Sequence, residues 1–160
     1  MAKPAPMKRQ LKFDCFEDMV SEARSLMENG YDQHGNWTLG QACGHLAEWM
    51  RYPLDGYPKP PLPLRAIFWV MRYTVAPAMK RKILAEGFKG GSPTAPDSVP
   101  QADAITDSQG LAQLVACVQR VTEFDGKLLP SPLFGSMDKD MHMQVALLHA
   151  EHHLAYFQPK

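Results

Sequence analysis

The chemistry this sequence can offer is concentrated in its histidines. There are six, His34, His45, His142, His149, His152 and His153. His149 and His153 are four residues apart, so on a helix they stand one turn above the other on the same face. Two imidazoles at that spacing can meet at one metal ion. Val145 and Ala146 share that face, which points it at a core, and a core histidine without a partner is costly. The segment His149-Ala-Glu-His-His153 is not the zinc-protease arrangement. Its glutamate, Glu151, is two residues from His149, about 200° round the helix, and faces away from anything the pair holds. His142 lies about 10 Å along the axis from His149, too far to share one ion, and is assigned a structural or solvent-exposed place. His152 sits beside the pair as a pocket or supporting residue. His34 falls in a polar loop and is expected to face solvent.

A third ligand has to come from another element, and His45 is the candidate. It lies on the edge of an apolar stripe, Leu39, Ala42, Cys43, Leu46 and Met50. Glu48, close behind it, is a second supporting candidate; no general base is named. Cys43 is two residues before His45, about 200° away on the helix, and is expected to play no part in the site. Three cysteines, Cys15, Cys43 and Cys117, with no Cys-x-x-Cys spacing, read as reduced thiols of a cytoplasmic protein.

The elements that must carry these residues are helices. Apolar residues recur at three- and four-residue steps from Asp14 to Asn29, and Gly30 stops the run. Thr38 and Gln41 form a capping box that opens a second helix, which Pro53 is expected to end. Tyr57-Pro-Lys-Pro-Pro-Leu-Pro63 reads as a stiff connection, although its spacing also suits a polyproline ligand. Leu64 to Ala85 predicts a third helix, interrupted by Pro77. Its basic residues allow a membrane-surface helix, but the reading adopted is a core helix with one solvated basic face. A Gly/Pro/Ser-rich loop spans 87–106. Asp107 is expected to cap a fourth helix to about Phe124, and Asp138 a last one to about Phe157. No sustained two-residue alternation appears, so no sheet is expected. The result is an all-α fold, a four-helix bundle with an extra helical segment. Residues 1–12 read as a flexible arm and 13–158 as a single domain.

Composition fits. Of 160 residues, 45% are hydrophobic and 21% charged, with 17 basic against 17 acidic. That balance argues against a nucleic-acid binder, and no stretch is long and apolar enough to span a membrane.

Trp37-Thr-Leu-Gly-Gln-Ala-Cys-Gly-His45-Leu-Ala and Leu148-His-Ala-Glu-His-His-Leu154 resemble the two signature stretches of the DinB/YfiT-like superfamily of metalloenzyme-like proteins. The Ser131-Pro-Leu-Phe-Gly135 link looks like that of a bacterial branch known only as a domain of unknown function. Members of that branch often have a histidine where Ser131 stands. The resemblance implies a DinB-like bundle of up-down-down-up type with long crossovers. It also implies one divalent metal held by His45, His149 and His153, and thiol S-transfer or hydrolysis as the reaction. Three imidazoles leave an open coordination position, as in catalytic sites. They suit zinc or nickel first and admit iron or manganese. The implied partner is a small molecule, a low-molecular-weight thiol by resemblance, with no nucleic acid and no membrane. The alternative is a non-catalytic bundle with a structural or vestigial metal, or a small-ligand-binding or homodimerisation module.

Overall fold

The computed structural model describes residues 8–89 and 105–160. Among these residues the chain is mostly helical, with one small two-stranded sheet. The helices are α1 (Phe16–Asn29), α2 (Leu39–Asp55), α3 (Leu62–Thr74), α4 (Ala76–Glu86), α5 (Asp107–Glu123) and α6 (Lys139–Leu154). Strand β1 is Tyr31–Gln33 and β2 is Phe157–Pro159.

The helix starts follow local chemistry. At α2, the Gln41 amide N–H donates to Thr38 Oγ1 at 3.2 Å, and the Gln41 side chain accepts from the Thr38 N–H at 2.9 Å. Each bond satisfies a donor that a helix start would leave open. At α6, Asp138 Oδ1 accepts from the Met141 N–H at 2.8 Å. Gly30, at φ 84°, turns the chain out of α1 in a conformation that suits glycine.

Three details differ from the sequence reading. Pro53 does not end α2, which runs on to Asp55 and closes at Gly56 (φ 114°). A proline this near the C-terminus forfeits only one hydrogen bond in a turn that is already ending. The cap of α5 is Thr106, not Asp107: the Gln109 N–H donates to Thr106 Oγ1 at 3.3 Å. Asp107 reaches across instead, accepting from the Gly40 N–H at 2.7 Å and the Tyr31 hydroxyl at 2.8 Å. It thereby ties α5 to α2. The interruption expected at Pro77 is present: α3 and α4 meet at Val75, with Pro77 in the first turn of α4. Finally, α6 stops at Leu154, and the chain continues as β2, antiparallel to β1 with Gln33 opposite Phe157. Three-residue strands are too short to display alternation, so no local pattern marks them.

The core is formed by α1, α2, α5 and α6, together with Phe13 and Phe157. The closest approach is between α2 and α5. A Cβ on Gly110 would stand 2.1 Å from the Gly40 carbonyl oxygen, so only glycine permits this crossing. Cys43 and Cys117 are buried and free, and the Cys117 thiol donates to the Ala47 carbonyl at 3.2 Å.

The core-helix reading of residues 64–85 is wrong. No residue of α3 is buried, and Ala76 alone is buried in α4. Large apolar side chains stand in solvent: Leu62 is 74% exposed, Trp69 64% and Tyr73 65%. A helix this apolar is ordinarily a buried one, which is why its sequence pointed to the core. No helix among the described residues is long and apolar enough to cross a membrane. The 87–106 loop lies largely outside the described residues, as do residues 1–7 of the arm. Next to them, the Arg9 N–H donates to the Ala155 carbonyl at 2.9 Å, and its guanidinium pairs with Glu22.

Candidate metal centre

α2 and α6 pack side by side, and their facing stripes each carry histidine. His45 follows the Thr38 cap by seven residues, two helical turns, and so returns to the buried face. His149 and His153 project from the last turns of α6. His45 is 3% exposed and His149 6%, with His153 half-buried.

Their nitrogens converge. His45 Nε2 lies 3.3 Å from His149 Nε2, and His153 Nε2 lies 3.0 Å from the same atom. One ligand atom from each residue falls within 4.8 Å of the others. An imidazole nitrogen presents either one N–H or one lone pair, never both. His149 Nε2 therefore cannot make a good hydrogen bond to both neighbours. A cation among the three resolves the conflict, because every nitrogen can then offer its lone pair. The spacing fits as well: tetrahedral ligands at about 2.05 Å from a zinc-sized ion stand about 3.3 Å apart. The three histidines could hold a metal ion.

Electrostatics keep the lone pairs available. Burial is the main cause that pushes His149 well below the ordinary histidine pKa, with His153 and His45 adding to it. Burial, then His45, carries His153 down to about 2. Both rings are neutral at physiological pH, as ligation requires.

Aromatic rings wall the site. Trp37 stacks on His153, with ring centres 5.0 Å apart and planes within 10°, and lies 4.9 Å from His45. Trp49 and Phe88 flank His149 at 4.6 and 5.0 Å. These contacts fix ring orientations and lower the local dielectric.

A family model described as "Protein of unknown function (DUF1569)" matches residues 5–160. The chain belongs to this family. No curated protein and no solved structure matches it.

In this DUF1569 chain the other sequence candidates stand outside the cluster of three. Glu48 pairs with Arg51 at 3.2 Å. His152 sets its ring edge-on to His153 at 5.1 Å. Its Nδ1 lies 3.0 Å from both Lys8 Nζ and the Phe88 carbonyl oxygen. His142 is buried, 2% exposed, with Nε2 3.1 Å from the Met50 carbonyl oxygen, so it is a structural histidine that ties α6 to α2. His34 is exposed. Cys43 is fully buried with its thiol pushed up to about 12, chiefly by desolvation, and takes no part. Ser131, where the family resemblance led to histidine, is also buried. Its Oγ accepts from the Leu133 and Phe134 N–H groups at 3.3 and 3.1 Å and so shapes its own turn.

Sequence reasoning missed the three aromatic walls. Trp49 was within reach, since it follows His45 by four residues and shares its face. Trp37 precedes the α2 cap, and Phe88 arrives from beyond α4. Nothing in their local pattern tied either one to the histidines.

Proposed function

We propose that His45, His149 and His153 hold one divalent metal ion, and that the protein is a metal-dependent enzyme of thiol S-transferase or hydrolase type built on a DinB-like bundle. The observation that carries this reading is the convergence of three Nε2-bearing rings at distances where mutual hydrogen bonding cannot satisfy all of them. When bound, a divalent ion supplies Lewis acidity, which favours thiolate over thiol and hydroxide over water at neutral pH. Zinc or nickel suits three imidazoles best, with iron and manganese admitted.

The chain's own residues supply the rest. Burial holds His149 and His153 neutral, so lone pairs face the centre without first losing protons. Trp37 fixes the His153 ring by stacking, and Trp49 with Phe88 holds His149 while excluding water from that side. The set contains no carboxylate or thiolate. The site therefore keeps the full charge of a divalent ion, which strengthens its pull on an anionic fourth ligand such as a thiolate.

The same aromatic walls favour a second reading, a structural metal without turnover. Two measurements separate the readings. Metal analysis of untagged protein, alongside each His→Ala variant, tests the site: about one equivalent in the wild type, lost in each variant, supports it. Assays with low-molecular-weight thiols plus electrophiles, and with hydrolysable esters and amides, then test catalysis. Turnover that disappears with chelator and returns with metal supports the enzyme. Stoichiometric metal without turnover supports the structural reading.

A further inference from the structure

Residues 56–85 carry six cations, Lys59, Arg65, Arg72, Lys80, Arg81 and Lys82, and no acidic residue. The chain as a whole is balanced at 17 basic and 17 acidic, so the rest of it has an acidic excess of six. This stretch is one of two cation-rich ones without an acid, the other being residues 1–13 with four cations, and it carries a local positive field.

The same arm exposes an apolar surface. By helical geometry Leu62, Ala66, Ile67, Trp69, Val70 and Tyr73 occupy one broad face of α3. All six are exposed, and no charged residue lies among them. Arg65 and Arg72, seven residues apart, run along the border of that face, on the side next to Trp69. Along this border a cavity of about 550 Å³ is lined by Leu62, Ala66 and Trp69 from the edge of the apolar face and by Lys59, Arg65 and Arg72, and its lining includes no carboxylate. None of its three cations has an acidic partner among the described residues. The Arg72 guanidinium is set over Gly135 (φ 74°), where a Cβ would stand 3.1 Å from Nε.

We infer that α3 docks on an anionic lipid surface, its outer apolar face entering the headgroup boundary and Lys59, Arg65 and Arg72 receiving lipid phosphates. An interfacial helix needs these two parts in this order, an apolar face with cations at its edge. Tryptophan and tyrosine are the side chains suited to that boundary, because each has an apolar body and a polar tip. A second copy of the chain fits worse, since a two-fold contact presents the same acid-free face to itself and supplies no anion for the cations at its edge. Nucleic acid offers the charge but no apolar layer for the outer face. The inference is independent of the histidine centre, which lies on α2 and α6.

The test is flotation of the full chain with vesicles of phosphatidylcholine alone and with about one-third phosphatidylglycerol, beside sedimentation velocity without lipid. The wild type is expected to bind the anionic vesicles at least about tenfold more strongly than the neutral ones. Raising salt to ~1 M, where the Debye length is about 3 Å, should reduce that preference. Trp69→Ala, and separately R65E with R72E, should each weaken binding by about tenfold or more. Both should keep wild-type helicity and metal content, because α3 buries no side chain in the core. Equal binding to both vesicles overturns the inference, as does binding that neither variant weakens. No vesicle binding overturns it in favour of a protein partner. So does a dimer that Trp69→Ala dissolves without any vesicle binding. Uptake of inorganic phosphate with no vesicle binding overturns it in favour of a soluble anion.

Discussion

Two regions of this molecule invert the usual partition of side chains, in opposite senses. Between α2 and α6 two polar rings are taken out of water and a third partly so. On α3 a tryptophan, a tyrosine and several aliphatic residues are left in it. Buried polar groups and large exposed apolar patches are the informative departures from ordinary folding, because each costs free energy that the fold alone does not recover. The histidine centre could be satisfied by one small cation, for which its three nitrogens already converge. The α3 face is covered by nothing among the described residues, and the inferred lipid surface would cover it. The first region thus has its ligands in place, and the second presents one side of a contact.

The largest expected effect comes from breaking the first region. His149→Ala should lower metal affinity by more than about 100-fold, beyond what loss of a supporting residue costs, as read by calorimetric titration with zinc or nickel. His142→Ala, on the same helix, should leave that affinity unchanged. Retained affinity in His149→Ala would mean the three rings are merely packed.

The distinction sharpens in stability. His142→Ala removes a buried ring and its hydrogen bond to the Met50 carbonyl, and should cost about 2–3 kcal/mol by denaturant unfolding. Trp69→Ala, on the exposed face, should cost under about 0.5 kcal/mol. A large loss at Trp69 would show that α3 contributes to the folded core after all.

Acid should act on the histidines of α6 and not on α3, which has no histidine. His142, His149, His152 and His153 all have folded pKa values below the ordinary 6.5, with burial the leading cause in each. Below about pH 6.5 the unfolded chain takes up protons that the native chain refuses, so native stability falls with falling pH. For His153 the window extends down to about pH 2. Metal-free protein should therefore melt at lower temperature near pH 5.5 than near pH 7.5, where the histidines of both states are neutral. His142→Ala should show a shallower pH dependence, since it removes one of these groups. An identical slope would assign the acid sensitivity to the other histidines.

The smallest effect is local. Thr38→Ala removes the α2 cap and should cost about 1 kcal/mol without changing metal affinity, because His45 lies two turns further on.

Much of the framework was legible because it is written in short-range chemistry. The Thr38–Gln41 box, the Asp138 cap and the Gly30 stop depend on residues within one turn of each other, and each stands where it was read. The His149–His153 pair is likewise local, one turn of one helix. Asp107 shows the limit. Its sequence position suits a cap, but its carboxylate is taken by Gly40 and Tyr31, partners 67 and 76 residues away that no local pattern reveals.

The sequence by itself therefore determined where helices begin, which histidines share a face, and that the thiols lie off that face. Only the tertiary structure decided that His45 meets a pair 104 residues further on, that Trp37, Trp49 and Phe88 enclose them, and that α3 stays outside the core. The reason is physical. Caps and helical period are fixed by bonds and sterics within a few residues, whereas burial depends on which faces the whole chain has left to cover. Nothing within α3 itself says whether the chain's own core covers its apolar face; the packing of the other helices decided that it does not.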